Sequence, residues 1–182
     1  MHKYGMFEID PTDSLLLTGL GPVRHPLLGV RGMELREGSG QQGYFEVRIV
    51  RAPADGSSTL TLIGITINDV PPMVLPVFRT LHFLDYIQPI YGWGQDGRIY
   101  TPDGIKADNS DALRFRTGDV VGLIVDCLEM PTLRFFLNGV LVHQLGLFLE
   151  DFYQEDYGFV LYPAFFLDFA QIHITSNPGL PL

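Results

Sequence analysis

Hydrophobic and polar residues alternate along much of this chain. In GYFEVRIV (Gly43 to Val50), Phe45, Val47 and Ile49 are interleaved with Tyr44, Glu46 and Arg48. A period of two puts the first set on one face of a strand and the second on the other, so this segment predicts a half-buried strand. TLTLIGITI (Thr59 to Ile67) is apolar and β-branched, with Leu60, Leu62, Gly64 and Thr66 on one face. The APADGSS between the two is a turn by composition. GDVVGLIVD (Gly118 to Asp126) is nearly continuously apolar between turn residues, the pattern of a strand buried on both faces. In LRFFLNGVLVHQL, Asn138-Gly139 joins two β-rich runs. Both residues tolerate the positive φ of a type I′ turn, so this stretch predicts a hairpin. VLYPAFFL and AQIHIT supply two further strands, and long amphipathic helices are hard to find.

Short strands with turns between them predict one all-β domain, an antiparallel sandwich with no linker. Two longer segments interrupt the pattern. Asp69 to Pro89 is rich in proline, and Ile99 to Thr117 is polar and turn-rich. Long loops on a rigid scaffold are where binding functions usually sit.

Composition narrows the function. A hydrophobic fraction of 46% with 18% charged residues fits a folded domain rather than a disordered chain. A net charge of -9 argues against nucleic acid and against anionic membrane surfaces as partners. Glu150, Asp151, Glu155 and Asp156 form a local acidic cluster, either a solvated loop or a site for a basic partner. The single cysteine, Cys127, excludes an intrachain disulfide and suggests a reducing compartment. MHKYGMFEID has no apolar stretch of signal-peptide length, and no run approaches a membrane span. The expectation is a cytoplasmic chain, with the nucleus as the alternative compartment.

The chemistry-bearing motifs weaken on inspection. Gly92-Gly94-Gly97 and Gly38-Gly40-Gly43 both spell G-x-G-x-x-G. A dinucleotide fold needs a helix after that loop, whereas the first copy runs into RIYTPDG and the second into a strand. The five histidines lack ligand spacing, and the acids around Asp108, Asn109 and Asp111 lack the EF-hand pattern. There is no G-x-S-x-G elbow. These readings imply no enzyme, no cofactor and no metal.

The ordered segments, taken together, resemble the SPRY domain family. GYFEVRIV, LIGITI, YGWGQDGRIYTPDG, GDVVGLIVD followed by LRFFLNGVLV, and LYPAFFL are similar to consecutive SPRY segments, from about Arg24 to Thr175. RHPLLGVRG (Arg24 to Gly32) resembles the Arg-His-Pro segment of SPRY domains of the SOCS-box and F-box type. Tyr91 stands where that subgroup has a tryptophan, and Glu150 to Tyr157 looks like an insertion. The resemblance implies a bent antiparallel β-sandwich, a concanavalin-like jelly roll with long loops, over a single domain spanning 1–182. It also implies a shallow pocket for a short extended peptide, carried over here to Arg24, Pro26, Thr66, Tyr86 and Phe169. Each residue has a structural alternative, a salt bridge for Arg24 and core packing for Phe169. Trp93, among glycines, fits core packing.

The implied function is a non-catalytic, monomeric protein-interaction module. It would bind a peptide segment of a partner protein, as a substrate-recognition or scaffold part of a larger complex such as a ubiquitin ligase. Two alternatives are a small-ligand or carbohydrate-binding sandwich using the Ile99 to Thr117 loop, and a constitutive subunit of an assembly. The second would expose the apolar residues between Met73 and Phe78.

Overall fold

The computed structural model describes residues 7–10, 12, 16–20, 27–28, 33–35, 42–53, 61–66, 90–101, 104–106, 111–126, 131–147 and 159–176. The described residues form two antiparallel sheets. The first orders its strands β1 (Phe7–Ile9), β2 (Leu16–Gly19), β14 (Gln171–Ser176), β5 (Gln42–Arg51), β10 (Val120–Asp126), β11 (Thr132–Leu137) and β12 (Val140–Gly146). The second orders β3 (Leu27–Leu28), β13 (Phe159–Leu167), β6 (Thr61–Thr66), β7 (Ile90–Gly94), β8 (Ile99–Thr101) and β9 (Gly104–Ile105), with β4 (Met33–Leu35) also on β13.

The alternation in β5 is realised as expected. Phe45, Val47 and Ile49 are buried while Arg48 and Val50 are exposed. On the facing sheet Phe165 meets Phe45 edge-on, with ring centroids 5.9 Å apart. Trp93 is fully buried between the sheets and lies edge-on to Phe115 and Phe135 at 5.4 and 6.0 Å. Its indole N–H donates to the Leu113 carbonyl at 2.6 Å. A buried indole needs an acceptor, and the chain after β9 supplies it.

Two expectations are corrected. Ile99 to Thr117 is not simply irregular: it carries β8, β9 and a 3-10 turn at Asp111–Leu113. Elements of two or three residues leave no periodicity to detect, and Phe115 anchors the segment in the core. In β10, Val120 and Ile124 are only half-buried, so the strand is not buried throughout on both faces. Its outer side is covered at Gly122, where the Tyr44 ring and Phe136 approach. β6 is the strand buried on both faces, since Leu62 on its outer side is as buried as Ile63 and Ile65.

The G-x-G-x-x-G copy at Gly92 is a β7–turn–β8 hairpin. Gly97 takes φ 80° in the turn, and the Gly97 N–H donates to the Gly94 carbonyl at 2.9 Å. β8 follows the turn directly, so the Gly92–Gly97 loop itself does not open a helix whose N-terminus could meet a phosphate. Gly38, Gly40, Cys127, Asp108, Asn109, the 69–89 loop and the 150–157 acidic insertion lie outside the described residues.

Candidate interaction surface

The two sheets are joined at one corner by the chain between β13 and β14. β13 belongs to the second sheet and β14 to the first, so Asp168, Phe169 and Ala170 carry the backbone from one layer to the other. Such a crossing needs a sharp reversal. Phe169 provides it with φ 53°, in the left-handed region that bulky residues avoid. Asp168 and Ala170 on either side are buried, while Phe169 is 46% exposed. The expected rival, core packing of this ring, is therefore excluded.

The corner is closely packed. The Gly19 N–H of β2 donates to the Ala170 carbonyl at 2.8 Å. A Cβ on Gly19 would lie 1.5 Å from the Leu167 carbonyl oxygen, so β2 and β13 touch backbone to backbone. Gln171 donates through Nε2 to the Thr18 hydroxyl at 2.9 Å and closes the same seam. Leu20, 43% exposed, follows Gly19 at the end of this ladder. Val50, 37% exposed, sits at the bulge where β5 meets the start of β14, beside exposed Arg51. Leu20, Val50 and Arg51 are thus exposed on strands that flank the start of β14. Sequence reasoning missed Leu20 and Val50. The one signal for the first was a leucine between two glycines, Gly19 and Gly21.

Next to Leu167 across the sheet is Thr61, whose carbonyl accepts from the Gln95 N–H at 2.8 Å. Gln95 Nε2 also donates to the Pro53 carbonyl at 3.0 Å. Asp96 orders this turn. It accepts from the Arg98 N–H at 3.1 Å and from the Tyr100 hydroxyl at 2.9 Å. Burial, then the Asp96 charge, pushes the Tyr100 phenol well above its usual range.

The predicted site residues fare differently. Thr66 pairs with Tyr162 at one end of the β6–β13 ladder, whereas Leu167, two residues before Phe169, pairs with Thr61 at the other. Five strand steps of about 3.3 Å separate those ends, roughly 17 Å. The fold does not bring Thr66 and Phe169 together. Arg24, Pro26 and Tyr86 lie outside the described residues. Leu27, the first residue of β3, stands opposite Phe165, and Leu28 opposite Ala164, so β3 runs away from the Phe169 corner.

No cluster of three or more His, Cys, Asp or Glu able to hold a metal occurs among the described residues. His143 lies beside Phe135, with ring centroids 6.2 Å apart, and burial lowers its pKa. Asp111 pairs with Arg114 at 3.4 Å.

The SPRY domain model matches residues 42–181. The chain belongs to the SPRY domain family. SPRY domains are in general modules of protein–protein interaction. The crystal structure of the TRIM65 PSpry domain superposes with a TM-score of 0.60 at 13% identity, covering 94% of this chain and 85% of that one. At that identity the likeness shows the fold alone. Chicken galectin 2 gives a TM-score of 0.42 at 12% identity, covering 82% of this chain and 97% of that one. The carbohydrate recognition domain of Emp46p, in its potassium-bound form, gives 0.41 at 10% identity, covering 87% and 74%. No curated protein matches the chain in sequence.

Proposed function

We propose that this SPRY domain is a non-catalytic recognition module that binds a short extended segment of a partner protein at the Phe169 corner. The observation that carries the reading is Phe169 itself. A bulky aromatic ring is held half-exposed in a left-handed backbone conformation, on a seam locked by Gly19 and Ala170. Strained, exposed aromatic positions on rigid supports recur at ligand-binding sites, and aromatic and arginine anchors carry most interface energy.

Arg24 and Pro26 immediately precede β3, whose first residue is on the Phe169 side of β13. This supports their inclusion with Phe169, as the resemblance to SOCS-box and F-box type SPRY domains implies. Thr66, at the far end of the ladder, is not part of this proposed site. Arg24 would donate to peptide carbonyls or a carboxylate, and Phe169 would cover an apolar side chain of the peptide. The matching cellular role is substrate recognition or scaffolding in a larger complex, such as a ubiquitin ligase, in the cytoplasm or nucleus.

A displayed library of short peptides, panned against the purified chain, tests the site. Selected peptides should lose on the order of 30-fold in affinity with Phe169→Ala and with Arg24→Ala, the equivalent of about 2 kcal/mol for an anchor. Peptides that bind both variants as tightly as the wild type would overturn it.

A further inference from the structure

We infer that β12 is a second docking edge, which captures an extended, apolar, positively charged segment of another protein by strand addition to the first sheet. It is independent of the Phe169 corner. β12 is the last strand in its sheet and, among the described residues, pairs only with β11.

The ladder defines which backbone groups are available. The Leu147 N–H donates to the Pro131 carbonyl at 2.8 Å, and the register continues through Leu145↔Leu133 and His143↔Phe135. Hydrogen-bonded pairs alternate with non-bonded ones in an antiparallel ladder, so the N–H and C=O of Gln144 and Gly146 point outward. From the other end, the two-residue Asn138-Gly139 turn makes Leu137 and Val140 a bonded pair and turns the backbone groups of Leu141 outward. Leu141 is 49% exposed, and Gln144 and Gly146 are exposed as well.

Folded proteins usually blunt such an edge with a bulge, or with lysine, proline or an inward-pointing charge. Val140–Gly146 reads VLVHQLG and carries no lysine, proline, aspartate or glutamate. Its single irregularity is a bulge opposite Phe135 and Phe136. Gln144 and Gly146 lie beyond that bulge in regular register. An open row of donors and acceptors flanked by exposed Val140 and Leu141 fits an extended backbone with apolar side chains at alternate positions. Charge selects among extended segments. Two copies of a chain with net charge -9 repel, whereas a lysine- or arginine-bearing segment is attracted.

The test uses the full chain and a fluorescein-labelled decapeptide of alternating valine and lysine. A second decapeptide of the same composition has every other backbone amide N-methylated. The plain probe should slow amide hydrogen exchange at Leu141, Gln144 and Gly146, and the N-methylated probe should bind at least tenfold more weakly. Gln144→Pro removes an outward N–H without breaking the β11 ladder, and should weaken the plain probe at least tenfold. Leu141→Lys places a like charge at the edge and serves if the proline variant fails to fold, which Trp93 fluorescence reports. Phe169→Ala should leave this binding unchanged. Absence of saturable binding up to millimolar probe overturns the proposal, as does binding that Phe169→Ala abolishes and Gln144→Pro does not. Dimerisation of the chain alone, abolished by Gln144→Pro, overturns the stated occupant in favour of a second copy.

Discussion

Phe169 concentrates strain and exposure in one residue. Its φ of 53° costs a non-glycine residue about 1–2 kcal/mol, and its ring is 46% exposed. Glycine would be relieved of that cost and alanine would not. Phe169→Gly is therefore expected to be more stable than Phe169→Ala by about 1 kcal/mol in urea denaturation followed by Trp93 fluorescence. Equal stabilities would mean that the turn stores no strain. Both variants should lose the partner peptide. Gly19 shows the opposite constraint, in which space rather than backbone angle matters. Its Cβ would overlap the Leu167 carbonyl, so Gly19→Ala should destabilise by about 3 kcal/mol, read by the same denaturation. The resemblance to SPRY domains singled out Phe169 in the sequence. Whether its ring was packed or presented depended on β2, β13 and β14 meeting at one corner.

At the scale of elements, the Asn138-Gly139 hairpin was legible because a two-residue I′ turn demands residues that accept positive φ, and both have it, at 52° and 80°. Its second role was not legible. Asn138 Oδ1 accepts from the Val120 N–H at 2.9 Å, and its Nδ2 donates to Asp119 Oδ1 at 2.9 Å, which latches the turn onto the start of β10. Asn138→Ala loses both bonds and still carries the left-handed cost. The expected loss is about 2 kcal/mol, against about 1 kcal/mol for Asn138→Gly, which keeps the turn without the latch. Chemical denaturation of the two variants side by side checks the difference. The short strands β1 to β4 escaped detection because two to four residues carry too little pattern, and partners from distant sequence stabilise them.

For the whole molecule, ionisable groups that are buried or half-buried bound a pH window. Burial with a hydrogen bond to Glu46 pushes the Tyr44 phenol up to about 12, and Tyr100 is raised as well. A raised phenol favours the protonated folded state. That contribution is fully present below the unfolded value near 10 and is lost as pH rises toward the folded value. His143 shifts the other way, since burial favours its neutral form. Its contribution is present above the unfolded value of about 6.5 and is lost as pH falls through the folded value below that. Stability should therefore be greatest between about pH 6.5 and 10. Denaturation midpoints measured across pH should show Tyr44→Phe and Tyr100→Phe flattening the alkaline limb. His143→Gln should flatten the limb between about pH 7 and 5, above the main carboxylate range.

By itself, the sequence determined the class of fold, the strands β5, β6, β10, β11, β13 and β14, the turn at Asn138-Gly139 and the burial of Trp93. Each depends on local pattern or on a residue's own conformational limits, and those are written in consecutive positions. Only the tertiary structure decided that Thr66 lies at the end of the β6–β13 ladder away from Phe169, that the Phe169 ring is exposed, and that β12 is an edge strand among the described residues. These depend on register and strand order, which pair residues distant in sequence through backbone hydrogen bonds common to every residue type except proline.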